Sequence, residues 1–404
     1  VVFTNKGQFD SARYYINKNI ALLKERFGED HRELAGSYNS SGTIAYHLGK
    51  YDECQYYFGK VVKIREQSLG FLHPLTAEAY NNLAVLFMAK ANYDTALVLN
   101  MKAYRIRVSK LDEKHPNIAL SLNNIGNVYM AKGEYEKALD FHQQALKKRL
   151  DIFSSEHADV AMSYANIGVL YREMGLYQKA LEYFLKYREI LLRLFGHDNP
   201  YTADAYNNVG AAYADLGDYD KSLENLQTAL LLRKKRGENA PGVSTSYNNI
   251  GSIYKFKGDY ELALSFYRKS IDVIRNVNGN HHPDIARRYS NMGEIYIERG
   301  LFDTALCYFN RALELDTAFL GKTSAQVIGD YLNRGRAYGE LNEKEKEFND
   351  YHKGLNLSLQ AFGEKHPKTA GFYMAIGNNL LNRHEKDSAK FFIRKSLKIK
   401  KAIY

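Results

Sequence analysis

The chain of 404 residues has no tryptophan, only six prolines and only two cysteines. Cys54 and Cys307 lie too far apart to build a disulfide framework, and they leave the redox compartment open. No run of about 18 or more apolar residues occurs, so no transmembrane helix is predicted. Few prolines mean few helix breakers, and the 33 tyrosines supply large amphipathic rings. Both features favour a largely helical chain.

Motifs of known enzyme classes are also missing. We find no nucleophile elbow, dinucleotide fingerprint, zinc-protease motif or kinase signature. The sequence therefore predicts no catalytic residues, no cofactor and no enzyme activity.

The formal net charge is +10, which can attract nucleic acid, anionic membrane or an acidic partner. The basic residues are not pooled in one block. Clusters at 147–149 and 233–236 fall where helix C-termini are predicted, and the helix dipole favours cations there. We interpret the charge as structural and solvating, so a nucleic-acid-binding function rests on net charge alone.

What the chain does have is an internal repeat. A small residue recurs every 42 residues, with a single step of 41. Seven residues further on comes a turn position, which is glycine in six units and Ala91, Asn342 or His384 in the others. The small residues are Gly42, Ala84, Gly126, Gly168, Gly210, Gly251, Gly293, Gly335 and Gly377.

Apolar residues follow a 3.6-residue period on both sides of the turn, so each unit is predicted to be helix A, a tight turn and helix B. The turn residue should adopt the left-handed conformation that glycine tolerates. The small residues should let helices A and B approach closely, with rings from the next unit filling the remaining space. Six loops end in a proline that suits the first position of helix A. These are Pro74, Pro116, Pro200, Pro241, Pro283 and Pro367.

Histidines recur in the predicted loops. One histidine per loop, on loops a whole repeat apart, does not converge at the roughly 2 Å bond lengths of a zinc site. We therefore expect them to cap loops, with the adjacent His281 and His282 as the one exception to test, and we predict no metal site. The recurring positions are His31, His73, His115, His157, His282 and His366.

The pattern over residues 115–145 is His-Pro, then Leu-Asn-Asn-Ile-Gly-Asn-Val-Tyr, then Gly-Glu-Tyr-Glu-Lys-Ala-Leu. It resembles the 42-residue tetratricopeptide repeat of kinesin light chains and related bacterial proteins, and the resemblance covers essentially the whole chain. It implies an all-α, right-handed α-α superhelical solenoid of helix pairs. We expect a single domain over 1–404, with a partial first repeat in 1–29, about nine complete repeats, and degenerate capping repeats in 340–404. Val1 to Lys6 look like the tail of a truncated helix A.

Seven units carry an asparagine two residues before the small position. Asparagine costs roughly 0.6 kcal/mol against alanine within a helix, so its recurrence needs a further reason. Its amide can donate and accept, and in the related proteins it holds a peptide in the concave groove. The resemblance implies that role here, and hydrogen bonding to neighbouring helices or water is the alternative. The seven residues are Asn82, Asn124, Asn166, Asn208, Asn249, Asn291 and Asn333.

Further polar residues are predicted to line the same groove. They precede the asparagines or lie one or two turns further along helix A. They favour an extended or acidic peptide, whereas a clamp for a terminal carboxylate lacks its lysine. They are Asn81, Asn123, Asn127, Asn207, Asn248, Arg172, Lys255 and Arg336.

We therefore predict a scaffold that binds a peptide or protein partner. The alternative is a sensor or regulatory repeat domain of a larger bacterial signalling or transcription-regulating protein. A kinesin cargo adaptor is a further candidate, although no heptad coiled coil for joining a motor is visible. We expect a cytoplasmic location with the periplasm left open, and the sequence does not indicate the oligomeric state.

Overall fold

A computed structural model describes residues 9–240, 242–280, 282–322 and 324–403. Within these ranges the chain forms nineteen α-helices and a short 3-10 helix, and no strand. The expected helix tail at Val1 to Lys6 lies outside the described residues. The chain divides into two compact units, Val1–Ala131 and Lys132–Tyr404.

The first unit contains six helices. They are α1 (Phe9–Phe27), α2 (Leu34–His47), α3 (Tyr51–Leu69), α4 (Pro74–Ala89), α5 (Tyr93–Lys110) and α6 (Pro116–Ala131).

The second unit contains the other thirteen. They are α7 (Tyr135–Ile152), α8 (Ala158–Glu173), α9 (Tyr177–Phe195), α10 (Ala203–Asp215), α11 (Tyr219–Lys234), α12 (Val243–Lys257), α13 (Tyr260–Asn278), α14 (Pro283–Glu298), α15 (Phe302–Leu320), α16 (Ala325–Glu340), α17 (Lys344–Phe362), α18 (Pro367–Asn382) and α19 (Lys386–Ile403). The 3-10 helix, Pro200–Thr202, precedes α10.

The predicted alternation of helix A and helix B is confirmed. Even-numbered helices are helix A and odd-numbered helices are helix B, and α1 is the helix B of the partial first repeat. Within each unit every helix packs against its neighbours along the chain, as in an all-α repeat solenoid. The single continuous solenoid over 1–404 stays a prediction.

The turn between helix A and helix B has the predicted left-handed backbone. All six turn glycines have positive φ, for example 72° at Gly300. The three substitutes also take this conformation, with φ of 56° at Ala91, 58° at Asn342 and 65° at His384. The turn is therefore fixed by the backbone and tolerates several side chains.

The small residue of helix A is required by a close approach. A Cβ added at Gly293 would lie 2.6 Å from Phe309, and one at Gly168 would lie 2.7 Å from Phe184. These rings belong to helix B of the same repeat, whereas we expected rings from the next unit. The ring reaches the glycine because helices A and B of one repeat are each other's closest neighbours.

Prolines and histidines begin helix A as predicted. α4, α6, α14 and α18 start at proline, Pro200 starts the 3-10 helix, and Pro241 lies outside the described residues. The histidine before the helix accepts a backbone hydrogen bond through Nδ1, as at His73 from the Leu75 N–H (3.1 Å) and at His366 from the Lys368 N–H (3.1 Å). The capping role of the loop histidines is therefore confirmed at these helices.

Buried arginines join one repeat to the next. Near the end of α5, Arg107 Nη1 donates to Ser121 Oγ of α6 at 2.8 Å. Arg149 of α7 makes the same bond to Ser163 of α8 at 2.7 Å. We call this contact the arginine–serine joint; it recurs between α11 and α12, where Arg233 Nη1 lies 2.6 Å from Ser246 Oγ. Each arginine also donates to a backbone carbonyl in the first turn of the next helix A or just before it.

The repeats expected to be degenerate caps, in 340–404, pack as full helices. Glu347 stands where a small residue is expected and is 8% exposed. Its carboxylate accepts a hydrogen bond from Asn379 Nδ2 at 2.7 Å. Rings and aliphatic side chains, including Phe372 and Ile376, form the core here. A polar residue at the small position is thus accommodated by a matching amide.

Candidate functional site

The seven recurrent asparagines occupy equivalent places on helix A. Each lies two residues before the small residue of its repeat, and each is half-buried. Helix packing sets this exposure where the small residue faces helix B of the same unit, as at Gly168, Gly251 and Gly293. We call these seven residues, together with Asn127, Arg172, Lys255 and Arg336 among the other predicted groove residues, the asparagine face.

Amide side chains in the first unit bond from one repeat to the next. Asn82 Nδ2 donates to Asn39 Oδ1 at 2.9 Å. Asn124 Nδ2 donates to Asn81 Oδ1 at 2.7 Å. The donor is thus the asparagine two residues before the small residue of its own repeat. The acceptor lies in the preceding repeat, three residues before the small residue of that repeat.

The second unit repeats this contact on both sides of α12. Asn249 Nδ2 donates to Asn207 Oδ1, and Asn291 Nδ2 donates to Asn248 Oδ1, each at 2.9 Å. Asn39, Asn81, Asn207 and Asn248 therefore serve as acceptors between helices. We could not have found this pairing from spacing alone, because the period does not say which side chains meet.

The amide contact is interrupted where the acceptor is missing. Asn208 lacks one because Ala165 stands in the preceding repeat, and Asn333 lacks one because Ser290 does. Among the described residues, neither asparagine has a side-chain hydrogen bond. Asn127 and Asn166 are half-buried, and Asn123 is 7% exposed.

The donor amides keep unused hydrogen-bonding capacity. Each amide has two N–H groups and a carbonyl oxygen, and one N–H is used in the inter-repeat bond. The side-chain oxygens of Asn82, Asn124 and Asn291 accept no hydrogen bond from another described residue. These half-buried amides can therefore bind a further polar group.

The predicted cations of the face are paired with acids. Arg172 of α8 forms a bidentate ion pair with Asp215 of α10. The hydrogen bond to Asp215 raises the pKa of the guanidinium. Lys255 pairs with Glu294. Each acid lies on the next helix A.

Arg336 completes the set, since its Nη2 lies 3.4 Å from Glu298 of α14. Asp215 and Glu298 were missed in the sequence because their helical positions differ from those of the cations. All three cations of the face are thus paired with acids on adjacent A helices.

No group of three or more metal-ligating side chains occurs in the part of the chain that the structure describes. His281 lies outside the described residues, and His282 caps α14 through the Asp284 N–H at 3.2 Å. None of the described helices is long and apolar enough to cross a membrane.

Comparison with known proteins gives a family match. A model of the tetratricopeptide repeat matches residues 33–109, 75–150, 117–193, 159–235, 201–276 and 242–318. These segments overlap and together cover residues 33–318. A comparison with curated proteins finds no matching relative.

Solved structures of repeat proteins are also similar. A Rap protein complexed with competence and sporulation factor is 13% identical, with a TM-score of 0.56, over 92% of this chain and 99% of that one. BtubC (BKLC) from P. vanneervenii is 22% identical over 61% and 92% of the two chains, with a TM-score of 0.43. A kinesin light chain with nearly identical TPR-like repeats, from Podosopora anserina, is 14% identical over 51% and 98%, with a TM-score of 0.41. The Rap likeness shows the fold alone.

Proposed function

The chain belongs to the tetratricopeptide repeat family of protein-interaction scaffolds, and from this premise we propose that its asparagine face binds an extended segment of a partner protein. Such repeat folds are typically non-catalytic. A regulatory repeat domain of a larger protein would use the same face, and would differ in what the bound segment controls.

The observation that carries the proposal is the unused capacity of the donor amides. Asn82, Asn124 and Asn291 are held in place by bonds to the preceding repeat, and each keeps a carbonyl oxygen and an N–H. An amide can pair with both the N–H and the C=O of a peptide backbone. Recurrence of the amide at each repeat suits an extended chain, whose backbone presents such groups at regular intervals.

Charge contributes less to this proposal than the sequence suggested. Arg172, Lys255 and Arg336 are already paired with acids on adjacent helices. An acidic ligand would have to displace those acids. Each new ion pair with the ligand would stabilise the complex by only about 0–1 kcal/mol. We therefore propose recognition of the backbone first, with acidic side chains as a secondary preference.

The test compares two double variants of the first unit. Asn82→Ala/Asn124→Ala removes the donor amides, whereas Asn39→Ala/Asn81→Ala removes their acceptors and leaves the donors. Both lose the same two inter-repeat hydrogen bonds, so both should lower the melting temperature similarly. Peptides are first selected on the wild-type protein from a random displayed library, and their affinities for both variants are then measured.

We expect the donor variant to raise the dissociation constant at least about tenfold, which corresponds to about 1.4 kcal/mol. The acceptor variant should bind within about threefold of wild type. Equal loss in both variants would assign the asparagines a structural role only, and undiminished binding by the donor variant would refute the proposal.

A further inference from the structure

The joint between α15 and α16 holds two aspartates at the positions where three other joints hold arginine and serine. Asp316 and Asp330 are 14 residues apart, as are Arg107 and Ser121 in the first unit. Asp316 is 3% exposed and Asp330 is 4% exposed. Their carboxyl groups are close enough to share a side-chain hydrogen bond, so the two meet in a buried contact between repeats.

Hydrogen bonding leaves these carboxyls one option. Ser290 of α14 donates to Asp330 Oδ1 at 2.9 Å. Asp316 Oδ1 and Asp330 Oδ2 accept from no other donor among the described residues. Within that part of the chain, neither carboxylate has a cation within ion-pair distance. The two groups can bond to each other, and that bond requires a proton on one of them.

The surroundings disfavour two charges here. Burial raises the pKa of Asp316, and the neighbouring Asp330 raises it further. Burial likewise raises the pKa of Asp330, against the opposing effects of Ser290 and of the hydrogen bond to Asp316. An unpaired buried charge is strongly destabilising, so the pair is more stable when it retains a shared proton.

Nearby ions do not supply the missing counter-charge. On α14, Arg287 favours ionisation of Asp316 and Asp284 opposes it, and these two residues lie 3.6 Å apart as a pair. On α16, Arg334 favours ionisation of Asp330, but its guanidinium is committed to Asp350 of α17. That contact has two hydrogen bonds of 2.7 Å.

The same joint lacks the amide contact between successive A helices. Ser290 occupies the acceptor position and donates to Asp330, so Asn333 of α16 has no acceptor there. Between α12 and α14, by comparison, Asn291 bonds to Asn248 at 2.9 Å. The α14–α16 contact therefore depends more heavily on the carboxyl pair.

We propose that the α15–α16 joint is a proton-dependent hinge within the second unit. It is closed while Asp316 and Asp330 share a proton, and it loosens when that proton leaves. The hinge lies between Asn291 and Asn333 of the asparagine face, so its opening changes the spacing of two proposed binding positions. This regulation is additional to the proposed binding.

The sign of the pH dependence follows from the raised pKa values. An unfolded aspartate titrates near its ordinary value of 3.8, whereas the closed joint holds its proton to higher pH. The closed state thus binds more protons than the open state between these limits. Its stability is complete below the unfolded pKa and is lost as pH rises through the folded pKa.

Hydrogen exchange of the full chain across about pH 5.5 to 8.5 tests the hinge. Rates are corrected for the intrinsic pH dependence of amide exchange, and the Arg107–Ser121 joint serves as internal reference. We expect protection in α15 and α16 to fall by up to about tenfold per pH unit as the pH rises toward the pKa of the pair, the linkage for one proton, and to level off above that pKa. The reference joint should stay constant.

Two variants remove the titration. Asp316→Asn keeps a hydrogen bond to Asp330 without needing the shared proton, and Asp316→Arg/Asp330→Ser recreates the arginine–serine joint. Both should flatten the profile of α15 and α16. The hinge is refuted if wild-type protection there tracks the reference joint at every pH, or if either variant that folds by circular dichroism keeps the wild-type slope. The wild-type measurement decides the matter even if neither variant folds.

Discussion

At the turn between helix A and helix B, the backbone angle matters more than the side chain. Gly175, Gly217 and Gly300 all have positive φ, and an added Cβ would meet nothing within 4 Å at any of them. A clash between a side chain and its neighbours is therefore not the reason for glycine at this position. What selects it is the left-handed conformation, which costs an ordinary residue roughly 1–2 kcal/mol. Ala91 accepts that cost in one repeat.

Replacement of Gly300 by alanine isolates this backbone term. We expect Gly300→Ala to lower the free energy of unfolding by about 1 kcal/mol, because the methyl group strains the turn and makes no clash. Gly371→Ala, inside α18 and equally open, is the control and should stabilise by about 0.5–1 kcal/mol. Urea denaturation followed by circular dichroism measures both, and a shift of the same sign in the two variants would contradict the explanation.

At the scale of the helix, contacts between repeats follow the sequence lattice but change their chemistry. The arginine position near the end of helix B holds an arginine in four repeats and an aspartate, Asp316, in another; the arginines are Arg65, Arg107, Arg149 and Arg233. At the α13–α14 joint the arginine lies on helix A instead, where Arg288 Nε donates to Ser270 Oγ at 2.8 Å. A buried polar contact thus recurs between successive repeats, although the residues that form it differ from joint to joint.

The Arg107 contact offers a matched pair on α5. Arg107 is 3% exposed, and its loss would leave Ser121 Oγ and the Asn117 carbonyl without their donor. We expect Arg107→Met to lower the free energy of unfolding by about 1–3 kcal/mol. Arg105→Met removes an exposed arginine from the same helix and should change it by less than about 0.5 kcal/mol. Similar midpoints for the two variants in urea would show that the joint contributes little.

The sequence predicted elements better than contacts. Turn residues, prolines and histidines act within a few residues, so their roles at Asn342 or His73 could be derived from local chemistry. The donor–acceptor pairing of the amides and the meeting of Asp316 with Asp330 were not predicted. Such contacts depend on the rotation of one helix against another, which a period of 42 residues does not encode. The recurrence of the asparagines on helix A could therefore be predicted from the sequence, but the hydrogen bonds between them could not.

At the scale of the whole molecule, the net charge of +10 comes from residues spread over many helices. On the asparagine face the cations are matched by acids, with Arg172 beside Asp215 and Arg336 beside Glu298. Affinity for a nucleic acid depends on how many phosphates one surface can neutralise, since each releases counterions. The paired cations of the asparagine face supply few such contacts.

We therefore expect generic duplex DNA or single-stranded RNA to bind only at low salt, and the complex to be lost at about 150 mM salt because the few phosphate contacts are screened. Fluorescence anisotropy of labelled oligonucleotides across a salt titration measures this. Asp215→Asn/Glu298→Gln frees Arg172 and Arg336, so this variant should bind more tightly at low salt and show a steeper salt slope. Tight binding by the wild-type chain at physiological salt would contradict this expectation and favour a nucleic-acid function instead, because it would require a concentrated cationic surface that the paired side chains do not provide.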